Sequence, residues 1–128
     1  MEARELRIGN LMELPNGEIS KVTGFTENGK VWFVREPKHE ECALKINQVR
    51  PIPLTEEWLL KFGFERDVSD LIIEINNHSE LSFDEDLDCY LSIDNGHEWN
   101  STDINIKYVH QLQNLYFALT GEELTIKN

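Results

Sequence analysis

The sequence predicts an α+β protein: an N-terminal small SH3-like β-barrel or curled antiparallel sheet over residues 1–53, then, over 54–128, a bridging short helix and an antiparallel β-meander covered by a C-terminal helix. Three observations predict it. Asn16-Gly17, Asn28-Gly29 and Asn95-Gly96 lie between apolar runs, and this dipeptide supplies the positive φ of tight hairpin turns. The runs beside them are short, β-branched or aromatic, and alternate with period two. Helix signals interrupt that pattern twice, once in the middle of the chain and once near its end.

In chain order, "RIGNLMELPNGEISKVTGF" reads as two strands around a turn, and "KVWFV" and "CALKI" add two more. A strip of this length buries its inner face by closing on itself, which is the argument for a barrel. In "VRPIPLTEEWLLKFGFE", Pro51 and Pro53 hold the chain extended, Thr55 caps a helix with Glu56 and Glu57 in its first turn, and Gly63 provides the left-handed exit. Phe64 then folds back over the last turn. "DLIIEI", "ELSF" and "LDCYLSID" follow as strands, with Leu71, Ile73 and Ile75 alternating in the first and Leu87, Cys89, Leu91 and Ile93 in the third. "IDNGHEW" turns into a strand that carries Trp99. The two halves share one core or stand as two lobes.

The closing segment "IKYVHQLQNLYFALTGEEL" is a helix with more apolar residues than one side holds. Tyr108, Val109, Leu112, Leu115, Tyr116 and Leu119 share a stripe; His110, Gln113 and Phe117 fall opposite. Phe117 is expected to be covered as a second-layer core residue against the bridging helix. The alternative is an exposed aromatic among Gln111, Gln113 and Asn114, the composition of a contact surface for another protein.

A chain of 128 residues with 40% apolar and 28% charged residues is globular, and Trp32, Trp58 and Trp99 are bulky core material. No apolar run reaches the length of a membrane span, and "MEARELRIGN" is too charged for a secretory leader, so a cytoplasmic protein is expected. Cys42 and Cys89 are then two free thiols. Asp and Glu number 24 against 12 Lys and Arg, a net charge of −12, which repels phosphate backbones and disfavours direct nucleic-acid binding. The same charge favours solubility or a basic partner surface, such as the nucleic-acid-binding groove of another protein. Arg4, Arg7, Lys21, Lys30, Arg35, Lys38, Lys45 and Arg50 all lie in the first fifty positions and acids dominate after Pro51, so the chain is electrically polarised.

Motifs for chemistry fail on their strictest positions. "DEDLDCYLSIDN" places Asp84, Asp86 and Asp88 at EF-hand spacing, but Cys89 stands where the loop needs glycine and Asn95 where it needs glutamate. His39 and Cys42 have zinc-ligand character but no second pair nearby, and "TGFTENGK" has the wrong spacing for a phosphate loop. No catalytic residue, metal or cofactor is therefore expected.

"ELRIGNL", "PIPLTEEWLLKFGFE" and "IKYVHQLQNLYFALTGEELTI" together resemble a family of small proteins encoded in phages, prophages and mobile elements of Bacteroidota. The resemblance covers about a third of the chain in three blocks. It implies a setting rather than a chemistry, since the family carries no assigned catalytic residue or cofactor. The expectation is a non-enzymatic phage or prophage accessory protein that binds and modulates a host or phage protein, such as defence or nucleic-acid-handling machinery. Its contact surface is placed at Asp84, Glu85, Asp86 and Asp88 with Phe117. The alternatives are a nucleotide binder with a pocket between lobes lined by Trp58 and Trp99, and a minor structural phage protein.

Overall fold

The computed structural model describes residues 3–35 and 38–127. It is an α+β chain with two antiparallel sheets, one of four strands and one of five, and a C-terminal helix. The chain divides into two compact units, Met1–Pro53 with Tyr108–Leu115, and Leu54–Lys107 with Tyr116–Asn128. The C-terminal helix, expected to belong wholly with the second half, thus gives its first two turns to the first unit.

In the first unit, strands β1 (Leu11–Glu13), β2 (Ile19–Phe25), β3 (Lys30–Arg35) and β4 (Glu40–Lys45) form a meander in sequence order. The sheet is open, and no closed barrel forms among the described residues. A 3-10 turn at Ile46–Gln48 follows β4, after which Arg50 returns to β1: Glu13 and Arg50 exchange backbone hydrogen bonds of 3.0 and 2.9 Å. Leu6, Met12, Leu14, Val22, Val31, Phe33 and Val49 form the buried core cluster. The turn glycines sit at φ +89 (Gly17) and +83 (Gly29), but the asparagines before them are not left-handed, so these are longer bulged turns rather than two-residue ones.

The second unit begins with α1 (Glu56–Lys61), capped as expected: the Thr55 hydroxyl accepts from the Trp58 N–H at 3.3 Å. Its Leu59 and the following Phe62 and Phe64 are buried, and Phe64 meets Phe83 edge to face at 5.6 Å. The meander is β5 (Glu65–Asp67), β6 (Asp70–Asn76), β7 (Ser79–Phe83), β8 (Cys89–Asp94) and β9 (Trp99–Ile104). Strand β5 is absent from the sequence reading because three charged residues show no alternation. Ile75 falls at a register shift between Glu74 and Asn76, Leu87 lies in a loop at φ +64, and Ile93 is 49% exposed, so the inward alternation expected of these three is not realised. None of the tryptophans is fully buried.

Helix α2 spans Val109–Thr120. Its N-terminal half is buried on both sides: Val109 and Leu112 on the apolar stripe, and His110 and Gln113, each 2% exposed, opposite it. The reason is polar. Gln113 Oε1 accepts the Leu11 N–H at 2.9 Å and its Nε2 donates to the Gly9 carbonyl at 3.3 Å. Asn114 Oδ1 accepts from fully buried Asn10 (2.8 Å) and from Arg7 Nε (3.2 Å), and Asn114 Nδ2 donates to the Glu5 carbonyl at 3.0 Å. Beyond Leu115 the pattern relaxes, and Leu119 and Phe117 are exposed.

Gln113→Ala leaves the Leu11 N–H buried without its acceptor and should cost about 2–3 kcal/mol in urea denaturation. His110 is buried with Nδ1 unpaired among the described residues, and burial pushes its imidazole below the ordinary 6.5, against the opposing pull of Glu5. The folded state therefore binds this proton less readily than the unfolded chain. Stability should fall as pH drops below about 6.5, and His110→Phe should flatten that dependence in denaturation curves taken on either side of it.

Candidate functional site

The residues expected to form the contact surface lie on the β7–β8 connection and on α2. Phe83 and Cys89 close the hairpin, and residues 84–88 form the loop between them. Asp84 builds it: its Oδ1 accepts the N–H groups of Asp86 and Asp88, both at 3.0 Å, its N–H donates to the Asp88 carbonyl, and its carbonyl accepts from Leu87. Short polar side chains organise turns in this way by offering the backbone a local acceptor. One carboxylate oxygen from each of Asp84, Asp86 and Asp88 lies within 4.8 Å of the others, the only such group of acidic, histidine or cysteine side chains among the described residues. Glu85 is exposed between them. The chain therefore enters and leaves this loop by strands, unlike an EF-hand.

Phe117 is placed by a different element. It is 38% exposed in α2, which corrects the expectation that it is covered. Trp58 packs at 5.7 Å on Phe62 beneath the Lys61 ammonium, whereas Trp99, 50% exposed, lines a groove with Glu74 and Glu80.

Beside the acidic loop lies an open cleft of about 510 Å³ whose polar lining includes Asp86, Asp88, Tyr90, Asp103 and Lys107. The Tyr90 hydroxyl donates to Asp84 Oδ2 at 3.4 Å. Its pKa is raised, first by the Asp84 charge, then by partial desolvation and by Asp103 and Asp88, so it stays a neutral donor. Tyr90 and Asp103 escaped the sequence reading, yet counting outward from the Asn95-Gly96 turn with Asp94 opposite Trp99 pairs Tyr90 with Asp103.

The register extends this surface across the sheet. Cross-strand pairing puts Leu71, Leu81, Phe83 and Cys89 on the buried face. The opposite face carries Glu65, Asp67, Asp70, Glu74, Glu80, Asp94 and Asp103 with Ile72, Tyr90 and Trp99, and no Lys or Arg among the described residues of these strands. Two of its cross-strand pairs, Glu74 with Glu80 and Asp67 with Asp70, oppose like charges, an arrangement that costs stability. Arg66, on the other face of β5, pairs with Glu56. In the first unit the bases are matched to acids at Arg35–Glu18 (3.5 Å) and Arg50–Glu13 (4.0 Å).

Both cysteines are free, and burial pushes the Cys89 thiol up to about 12, which removes it as a nucleophile at neutral pH. No described helix is long and apolar enough to cross a membrane.

Asp84→Ala should cost about 1–2 kcal/mol in urea denaturation, because two backbone donors lose their acceptor; Asp84→Asn, which keeps one acceptor oxygen, should cost about half as much.

No protein-family model, no curated protein and no solved structure matches this chain.

Proposed function

We propose that this chain is a non-enzymatic accessory protein of phage or prophage origin, acting in the bacterial cytoplasm, that binds and modulates a host or phage protein through the acidic surface of its second unit. The observation that carries the reading is the single sign of that surface. Seven carboxylates lie on one sheet face, with the Asp84, Asp86 and Asp88 loop at its edge, and that face of the strands carries no Lys or Arg among the described residues. A face selected for stability alone would intersperse charges and avoid like-charged cross-strand pairs. A basic partner surface removes that repulsion on binding and is steered to it over distance. Exposed Phe117 and Trp99 offer aromatic anchors of the kind that dominate interfaces. The nucleotide-binding alternative is disfavoured by the same electrostatics, because Asp86, Asp88 and Asp103 line the cleft beside the acidic loop and Lys107 is the one lysine lining it.

One feature supports the SH3-like reading of the first unit: after the 3-10 turn, Arg50 forms an isolated antiparallel bridge with Glu13 of the first strand, bringing the end of the strip back to its beginning. The three blocks that carry the family resemblance also supply the contacts that join distant parts of the chain, Arg7 and Asn10 with Asn114, and Ile52 with Val109.

The test is capture of a stoichiometric partner from a Bacteroidota lysate by the wild-type protein, compared with the combined Glu85→Lys, Asp86→Lys and Asp88→Lys variant and with Phe117→Ala. Asp84 is left intact because it holds the loop. Binding should fall about tenfold or more in the charge-reversed protein, weaken with added salt, and leave the melting temperature unchanged. Capture that survives charge reversal would show the acidic surface to be solubilising only.

A further inference from the structure

The two edges of the second sheet are treated differently by the sequence. Strand β5 is three residues long, all charged, which is how proteins blunt an edge against foreign strands. Strand β9 is six residues long, pairs with β8 at six successive positions without a bulge, and contains no Lys, Arg or Pro. Its residues from Trp99 to Asp103 are all exposed, and no described strand pairs with its outer side.

The direction of its backbone groups follows from the neighbouring strands. Asp94 donates its N–H to the His78 carbonyl at 2.7 Å, so Asp94 faces β7. Alternation then makes Ile93, Leu91 and Cys89 the β8 residues bonded to β9, and their partners Asn100, Thr102 and Ile104 spend their N–H and C=O groups inward. Trp99, Ser101 and Asp103 are left presenting theirs outward.

We propose that a second copy of this chain pairs with that edge, β9 to β9, antiparallel about a two-fold axis at Ser101, joining two five-stranded sheets into one. Outward-facing residues must meet one another, so Ser101 faces Ser101, Trp99 faces Asp103 and Asn100 faces Thr102 of the second copy. The register is self-complementary. The one charge on the strand, Asp103, is set against an indole instead of another carboxylate, and the small hydroxyls meet at the axis. The exposed Trp99 and Ile93, 50% and 49%, flank the seam. The strand's low charge argues for a second copy over a basic peptide as its occupant, and the net charge of −12 per chain sets a repulsion that salt screens.

Sedimentation equilibrium on the wild-type protein should show a reversible dimer that tightens with added salt. Ser101→Pro removes an outward N–H, leaves the backbone bonds to β8 in place and loses the 2.9 Å contact between the Ser101 and Ser92 hydroxyls; it should weaken dimerisation about tenfold or more, whereas Ser101→Ala, which loses only that hydroxyl contact, should leave dimerisation unchanged. Ser101→Cys should form a disulfide dimer on oxidation, because facing Cα atoms of a hydrogen-bonded antiparallel pair lie about 5.5 Å apart, within disulfide reach. Asn100→Cys, which faces Thr102, should not. A wild-type protein that stays monomeric at high concentration and raised salt overturns the proposal. So does a dimer in which Ser101→Cys fails to cross-link, and this readout stands even if Ser101→Pro does not fold.

Discussion

The outer side of β1 has backbone donors that nothing local can satisfy, and the first unit is organised around covering them. Leu11 gives its N–H to the side chain of Gln113, and two residues on Glu13 exchanges both its backbone groups with Arg50. An edge left open at this depth would strand buried polar groups, each costing about 1–3 kcal/mol. Gln113 and Asn114 come from a helix more than a hundred positions away in sequence, so the N-terminal sheet is incomplete until the C-terminal helix has arrived. This explains why residues 108–115 group with the first unit, and why the helix is buried on its polar side. It also places a long-range contact at the centre of the fold, which slows folding relative to a chain whose units close locally.

The second unit solves a different problem. Its five strands need one apolar face, which Leu71, Leu81, Phe83 and Cys89 supply, with Phe64 set edge to face on Phe83, but its other face and its last edge are left unneutralised. Like charges face each other across β6 and β7, and across β5 and β6, while β9 carries none of the devices that close an edge. In the first unit the edge strand β1 is covered, and although Lys30 faces Lys45 across β3 and β4, Arg35 and Arg50 pair with Glu18 and Glu13. The contrast in one chain of 128 residues is the reason the functional reading rests on the second unit.

Much of this was legible locally. The three Asn-Gly turns, the Thr55 cap and Phe64 folding back on α1 follow from dihedral preference and hydrogen-bonding capacity, which act within a few residues. The acidic loop was legible as a cluster, and the rejection of an EF-hand followed from its missing glycine and glutamate. Misread were Phe117, whose helix offers apolar residues all round, and Leu87, whose place in an alternating run was overridden by Asp84 holding the loop backbone.

By itself, then, the sequence determined the fold class, the order and ends of most elements and the sign of the charge, because each depends on residue type and near neighbours. Tertiary structure alone decided that Gln113 is buried rather than exposed, that the acids of five strands share a face with Tyr90 and Trp99, and that β9 has an open edge. Those outcomes depend on register and on which distant backbone groups lack a partner, and neither quantity is carried by any one stretch of sequence.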